Sequence, residues 1–443
     1  MHKNFENMGI YDLRNYARIM GVNSPTTLKR AELIARINEI INGKQPEPKT
    51  NNKGRPPRHK KDDPFMLDLV LPDNLFKENN EDKYKSLPSE VVRFAYNGIL
   101  SEGSHASATN ILFKGFYKKY NKDFALVCFK GYFTNYSKEN VVVLNELSQK
   151  YSLKDGDYIV GVANYIADKN VMLATDITYI NDIDAKSVID RIEFENILPC
   201  YATQKLTLYS NVNFDLINKI SPITKGSRTI FNIENDVRKN DLVVSLLDSL
   251  SIKNNLRTLL ISIDDSPEDI GSIMMSCKDV EVCHLSTTQT REQYFEKVFT
   301  FISNCMRRLE CKQEISIVFY DTKKFINAYA ENLILTENFN ESKANIVASN
   351  KLKDIFNLSR NTNNGNLTVI FVNAPDSFIE NSNCYIKFME NPYQNTNVFL
   401  DLQSSFTKNI ERIIDEKEYT SLQKFKQNFK KENAKELIEN FLK

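Results

Sequence analysis

Thr229-Ile230-Phe231-Asn232-Ile233-Glu234-Asn235-Asp236-Val237-Arg238-Lys239-Asn240 passes from a short apolar run through a charged connection into residues 241–250, whose apolar positions recur at helical spacing. An apolar run of this length followed by a helix reads as a strand buried on both faces of a sheet. The same kind of run returns at residues 259–263, 315–320, 367–372 and 398–402, with a helical stretch at 292–309 between the second and third. Alternation of this sort predicts a predominantly parallel α/β domain from residue 188 to the end of the chain.

Toward the N-terminus the pattern changes. Over residues 91–187 short β-rich runs dominate, among them Phe124-Ala125-Leu126-Val127-Cys128-Phe129, Val141-Val142-Val143-Leu144 and the stretches 158–162 and 171–180, with an Asp155-Gly156 turn before the third. Five or so strands in that length suit a small barrel of the OB type. Phe116, Tyr117, Lys118, Lys119, Tyr120, Phe124, Phe129, Lys130, Tyr132, Phe133 and Tyr136 interleave rings with ammonium groups. Such a surface can stack bases and hold their phosphates; the competing reading is that half of these rings are barrel core. Residues 44–90 hold seven of the thirteen prolines and read as a linker. Residues 1–43 carry two short helical patterns, with Leu13, Tyr16, Ala17 and Met20 on one and Leu33, Ile34, Ile37, Ile40 and Ile41 on the other, each followed by glycine.

The chain has 443 residues, 41% hydrophobic and 26% charged, enough for two or three domains. No run of eighteen apolar residues occurs and the first residues carry no apolar segment, so neither a membrane span nor a secretory leader is expected, and a cytoplasmic protein is. Seven cysteines without a C-x-x-C pair, and four scattered histidines, argue against a disulfide framework or a metal site. The net charge of +1 hides an asymmetry: up to Lys61 there are thirteen Lys/Arg against five acids, a local +8 that leaves −7 for the remainder. A basic arm on a mildly acidic body suits a polyanionic partner, RNA or DNA; a solvated tail is the bland alternative. Within the arm Lys53-Gly54-Arg55-Pro56-Pro57-Arg58-His59-Lys60-Lys61 resembles an AT-hook, whose Gly-Arg-Pro core, here with Arg55, lies extended in a narrow A·T minor groove while the basic flanks Lys53, Arg58, Lys60 and Lys61 meet phosphates.

In P-loop ATPases the loop after the first strand cradles phosphates with backbone N–H groups, a lysine meets the β/γ phosphates, and a Ser/Thr hydroxyl binds magnesium. Here only Lys239 fits that scheme. Arg238 brings a side chain where close backbone approach wants glycine, Asn240 replaces the hydroxyl, and Glu234 and Asp236 add negative charge. The run 315–320 ends in Asp321, as a magnesium-linked strand does, and the run 259–263 leads to Asp264-Asp265, where a water-orienting base could sit.

The order of parts resembles the bacterial transcription termination factor Rho family, ring-shaped RNA-dependent ATPases. Tyr151-Ser152-Leu153-Lys154-Asp155-Gly156-Asp157 resembles the family's F-N-L-R-T-G-D, and Ile192-Glu193-Phe194-Glu195-Asn196-Ile197-Leu198-Pro199 its I-L-F-E-N-L-T-P. Ser221-Pro222-Ile223-Thr224-Lys225-Gly226-Ser227-Arg228 resembles S-P-I-G-R-G-Q-R, Asp264-Asp265-Ser266-Pro267-Glu268 resembles D-E-R-P-E, and Asn366-Leu367-Thr368-Val369-Ile370 resembles S-L-T-I-I. The resemblance implies a helical Rho-N/SAP-like module, an OB-type barrel and a RecA-like domain.

It also implies where the departures fall. The family's P-P-K-A-G-K-T is reduced to Arg238, Lys239 and Asn240, its catalytic Glu corresponds to Asp265, and its pore loop L-T-G-G-V to Leu335-Thr336-Glu337-Asn338-Phe339. Its arginine finger falls near Leu402-Gln403-Ser404-Ser405, where no arginine stands, and Lys114 to Tyr120 reads as extra sequence. The expected function is a nucleic-acid-binding pseudo-ATPase that modulates termination, in a homo-oligomeric ring or with a partner Rho, with Asp265 and Asp321 vestigial and neither metal nor cofactor. The alternatives are an active RNA-dependent ATPase using ATP and magnesium, and a DNA-binding structural protein in which the AT-hook-like arm dominates.

Overall fold

The computed structural model describes residues 10, 13, 14, 17, 22, 28–41, 111–132, 141–166, 171–209, 212–233, 238–363, 365–390 and 398–428. The chain divides into two compact units, Met1–Met66 and Leu67–Lys443. In the first, helix α1 (Arg30–Ile41) buries Leu33 and Ile37 against Leu13 and Ala17, with Ile10, Val22, Leu28 and Ile34 packed around them. That small core follows from apolar side chains four apart on one helix face.

The second unit begins with a barrel. Strands β1 (Ile111–Lys119), β2 (Phe124–Cys128) and β3 (Val141–Leu144) lead through helix α2 (Asn145–Lys150) to β4 (Tyr158–Ile166), β5 (Val171–Ile180) and a short β6 (Ile183–Asp184). Their order is β3-β2-β1-β4-β5-β6, and a parallel β3–β5 pairing, Val141 opposite Met172, closes the first five strands on themselves. Inside lie Phe113, Tyr117, Val127, Val143, Ile159 and Ile177. The stretch from Lys114, expected as extra sequence, is the middle of β1. It pairs with β4 on one side (Lys114 opposite Val160) and β2 on the other (Lys118 opposite Leu126).

The rest of the unit is a sheet between two helical layers. Helix α3 (Val212–Ile220) precedes β7 (Arg228–Ile233), α4 (Lys239–Asp248), β8 (Arg257–Ser262), α5 (Pro267–Ser276), β9 (Val280–His284) and α6 (Arg291–Glu310). There follow β10 (Glu314–Phe319), α7 (Thr322–Glu337), α8 (Glu341–Phe356), β11 (Arg360–Thr362), β12 (Gly365–Val372), β13 (Cys384–Glu390), β14 (Val398–Leu400), β15 (Phe406–Thr407) and α9 (Glu416–Asn428). The order is β14-β13-β7-β12-β10-β8-β9, parallel from β13 to β9. Alternation along each strand sorts the side chains. Leu259, Ile261, Ile317, Phe319, Val369 and Phe371 face α6, α7 and α8, whereas Leu260, Val318, Ile370 and Val372 face α3, α4, α5 and α9. Residues 398–402, expected among the buried parallel runs, form instead an antiparallel edge against β13. The place beside β7 is taken by β13, whose Lys387 breaks the apolar run that would have marked it.

Barrel and sheet share a core along α6. Phe116 of β1 lies 4.8 Å from the Phe301 ring and 5.1 Å from Tyr158. Gly156, at φ +90°, packs so closely that a Cβ there would stand 2.6 Å from Ser303 Cβ. Beside it Asn181, fully buried, donates to Asp157 Oδ1 at 2.8 Å and accepts from Asn304 Nδ2 at 2.9 Å. Arg308 donates to Asp182 at 2.7 Å, and Arg191 joins Asp157 to Glu310. Burial alone would raise the Asp182 carboxyl, but Arg308 and Arg257 outweigh it and hold it below the usual range. A buried network with most members paired fixes orientation as well as contact. Among the described residues no helix is long and apolar enough to cross a membrane.

Candidate functional site

Open parallel sheets place their ligand crevice at the carboxyl ends of the strands. Here β7, β8 and β10 end beside one another's connections. Asn373, at φ +53°, accepts from the Ile233 N–H at 2.8 Å, which fixes where β7 stops. Helix α4 then starts at Lys239 behind Arg238, a left-handed residue at φ 56° whose side chain makes no capping bond. Arg238 itself is exposed.

Lys239 does not project into solvent. It is 4% exposed, its Nζ stands 2.7 Å from Asp321 Oδ2, and it lies 4.4 Å from the centre of the Tyr320 ring. Asp321 caps α7, its Oδ1 accepting from the Lys324 N–H at 3.0 Å. The Lys324 side chain turns to the neighbouring strand end, where Nζ reaches Asp265 Oδ1 at 2.8 Å and the Asp264 carbonyl at 3.3 Å. Asp265 Oδ2 accepts from Ser262 Oγ at 2.7 Å. Asp264, at φ 56°, pairs with Arg291 at 3.2 Å, and Arg291 also reaches Glu331 at 2.9 Å. Tyr294 Oη donates to the Ser262 carbonyl at 2.7 Å, which ties α6 to the end of β8.

Magnesium, which the family resemblance implies, does not fit this donor set as it stands. A divalent cation needs carboxylate or hydroxyl oxygens with free lone pairs and tolerates no ammonium in its place. Both carboxylates already carry one: Asp321 holds Lys239 and Asp265 holds Lys324. Asn240 Oδ1 and Thr322 Oγ1 are buried without a hydrogen-bond partner among the described residues, and no group of three or more His, Cys, Asp or Glu side chains among those residues is placed to hold a metal ion. The crevice as built is a row of ion pairs along the ends of three strands.

On the barrel the expected interface divides. Phe116, expected on a base-stacking face, is 2% exposed under α6 and presents no ring to solvent. Lys118 pairs with Glu296 of α6 at 2.7 Å, so its charge is held against the body. Lys119 and Lys130 are exposed and Tyr132 is half-buried, whereas Phe133 lies outside the described residues, as do Lys53, Arg55, Arg58, Lys60 and Lys61. Tyr120 is 65% exposed and stacks on Phe124, centroids 5.2 Å apart and planes 17° from parallel. Leu144, directly opposite Phe124 on β3, extends the apolar patch. Lys119 and Lys122 stand at the same end of the β1–β2 hairpin as this ring platform, which a base could extend, whereas Lys130 lies past Cys128 at the opposite end of β2.

The two stretches likened to the pore loop and the finger are also compact. Helix α7 runs through Glu337, Asn338 closes it at φ 53°, and Asn340 caps α8, so three residues join the helices. At residues 402–405 Asp401 Oδ1 accepts from the Gln403 and Ser404 N–H groups at 3.1 Å each, and Arg412 lies over the Tyr201 ring. Lys324, Ser262 and Arg291 were missed by sequence reasoning. A cap acceptor at Asp321 with lysine three residues on was the one available signal, and it does not say where the ammonium goes.

Comparison with known proteins gives related sequences. No family model matches the chain. The transcription termination factor Rho of Borreliella burgdorferi is 26% identical over 278 residues, 61% of this chain and 53% of that protein. The factor Rho of Cereibacter sphaeroides is 22% identical over 188 residues, 41% of this chain and 44% of that protein. The chain thus spans about half the length of the curated relatives it matches. Among solved structures, a prototypical ATPase from the type III secretion system of pathogenic bacteria superimposes with a TM-score of 0.44 at 11% identity, covering 55% of this chain and 81% of its own. The ATP synthase subunit NeqB of Nanoarchaeum equitans does so with a TM-score of 0.43 at 10% identity, covering 56% and 77%.

Proposed function

We propose that this chain is a Rho-like nucleic-acid-binding protein whose α/β crevice does not turn over ATP, and that it modulates transcription termination alone or in a ring with an active Rho. The similarity to two Rho factors supports the family reading; in that reading residues 188–443 are a RecA-like sheet domain, 91–187 an OB-type barrel and 1–43 a Rho-N/SAP-like module. The observation that carries the inactive crevice is the pairing of Lys239 with Asp321 and of Lys324 with Asp265. A lysine held at 2.7 Å by a buried carboxylate has to break that pair before it can meet a phosphate.

RNA or DNA is held by the barrel, with Tyr120 and Phe124 as the ring platform and Lys119 and Lys122 beside it. In a ring each subunit completes its neighbour's site, so a subunit without an arginine near residues 402–405 silences the adjacent one. The test is to mix the purified protein with an active Rho and follow termination and ATPase rates as its proportion rises. A fall in both supports the modulating role. Rates that stay constant while the two proteins co-assemble, or proteins that never associate, remove it.

A further inference from the structure

We infer that the Tyr120–Phe124 platform captures a nucleic acid by its unpaired bases alone, with the phosphates turned away from the barrel, so that its share of the affinity is nearly independent of salt. The inference rests on the reading of the barrel as the nucleic-acid holder and says which part of the strand it recognises. The platform is fixed by its own turn. Tyr120 and Asn121 donate their N–H groups to the Phe124 carbonyl at 3.3 and 3.2 Å, and Asn121 Oδ1 accepts from the Asp123 and Phe124 N–H groups at 2.8 and 2.9 Å. The two rings are thereby held stacked, with Tyr120 65% exposed and Leu144, opposite Phe124, 44% exposed beside them. An open ring face of this kind is a stacking partner for any base, since every base has a π-face.

The charges around the rings do not attract a phosphate chain. Lys119 and Lys122 are exposed there, but so are Asp123, Glu146 and Asp155. Local hydrogen bonds bring the acidic residues in: the Lys119 N–H donates to Asp155 Oδ1 at 2.6 Å, and the Asn145 N–H donates to the Asp123 carbonyl at 3.0 Å, which sets Glu146 one residue away. Lys118 and Lys154 turn instead to Glu296 and Glu310 of α6. Two ammonium groups against three carboxylates leave this end of the hairpin at −1. Each phosphate that a protein neutralises on a single strand adds about −0.7 to the slope of log K against log salt, and a surface with no excess of cations releases no counterions. Stacking strengthens binding by about 5- to 150-fold per base and needs no charge. The +8 carried by residues up to Lys61 makes the affinity of the whole chain salt-dependent whatever the barrel does, so the contribution of the platform is the ratio between parent and Tyr120→Ala.

The experiment uses the full chain and two fluorescein-labelled single strands of one sequence, about 12 nucleotides long. One has phosphate linkages; the other has methylphosphonate linkages, which keep the bases and carry no backbone charge. Fluorescence anisotropy gives the affinities, and thermal unfolding establishes that each variant is folded. The expected result is that Tyr120→Ala weakens both strands by the same factor, about 5- to 150-fold, and that the factor for the phosphate strand changes by less than about two-fold between about 50 and about 200 mM salt. Phosphates seated on Lys119 and Lys122 through the platform would instead shrink that factor by about seven-fold over the same range. Asp123→Asn/Asp155→Asn, which turns the local charge positive, should tighten the phosphate strand and leave the methylphosphonate strand unchanged. A Tyr120→Ala loss confined to the phosphate strand, a factor that falls with salt, or an aspartate double variant that binds both strands as the parent does overturns capture by bases alone and leaves the barrel as the holder. Tyr120→Ala without effect on either strand overturns both.

Discussion

Lys239 gives the sharpest test of how the crevice is built. Its side chain is 5% exposed and that of Asp321 7%, and the 2.7 Å contact between them is paired with a 4.4 Å approach of the ammonium to the Tyr320 ring. Lys239→Met removes the ammonium and leaves a buried carboxylate, and breaking a buried pair on one side typically costs about 3–5 kcal/mol. Asp321→Asn strands the ammonium instead, though asparagine still accepts at the α7 N-cap, where it serves about as well as aspartate. The double variant Lys239→Met/Asp321→Asn removes both charges and should return to within about 1 kcal/mol of the parent, because a buried pair and its neutral replacement are often close in stability. The assay is urea unfolding followed by far-UV circular dichroism, since the chain has no tryptophan. A hydrated lysine waiting for a phosphate would cost less than about 1 kcal/mol on removal. A Lys239→Met variant within about 0.5 kcal/mol of the parent, or a double variant no better than the worse single one, refutes the reasoning.

Gly156→Ala should destabilise the chain by more than about 2 kcal/mol, from the left-handed backbone and a Cβ 2.9 Å from the Ser303 carbonyl carbon, whereas Gly271→Ala, which meets nothing within 4 Å on α5, should stabilise by about 0.5–1 kcal/mol; urea midpoints check both. Burial, with Lys297 adding to it, lowers the His284 imidazolium to about 4 from 6.5. Its contribution to stability is therefore complete above pH 6.5 and lost as the pH falls toward 4, and His284→Gln should flatten the stability curve across that window. Tyr120→Ala should weaken single-stranded RNA or DNA binding by about 1–3 kcal/mol with folding intact, read by fluorescence anisotropy. Phe116→Leu should instead lower stability and leave affinity unchanged, because that ring is buried between Tyr158 and Phe301.

Much of this architecture was legible because burial leaves a pattern in the sequence. Residues 259–263, 315–320 and 367–372 read as strands since both faces of each are covered, and alternation within them sorts side chains to two helical layers. The barrel strands at 124–128 and 141–144 were legible for the same reason, with one covered face. Phe116 was misplaced because alternation tells which side of β1 a ring takes and not what covers that side; Phe301, 185 positions further on, does so. The strand Cys384–Glu390 was missed because Lys387 interrupts it, and residues 398–402 took its expected place. In the crevice the identities of Lys239, Asp265 and Asp321 were readable from position after a strand. Their pairing was not, since Lys324 reaches Asp265 across 59 residues of sequence and only the adjacency of β8 and β10 brings them together.

The most direct measurement is ATP binding and hydrolysis by the purified chain, with and without single-stranded RNA, beside a Lys239→Ala control. The account predicts RNA or DNA bound by the barrel with no RNA-stimulated hydrolysis, and no difference in turnover between parent and control. RNA-stimulated hydrolysis that disappears in the control would contradict it and make Lys239 a working phosphate ligand.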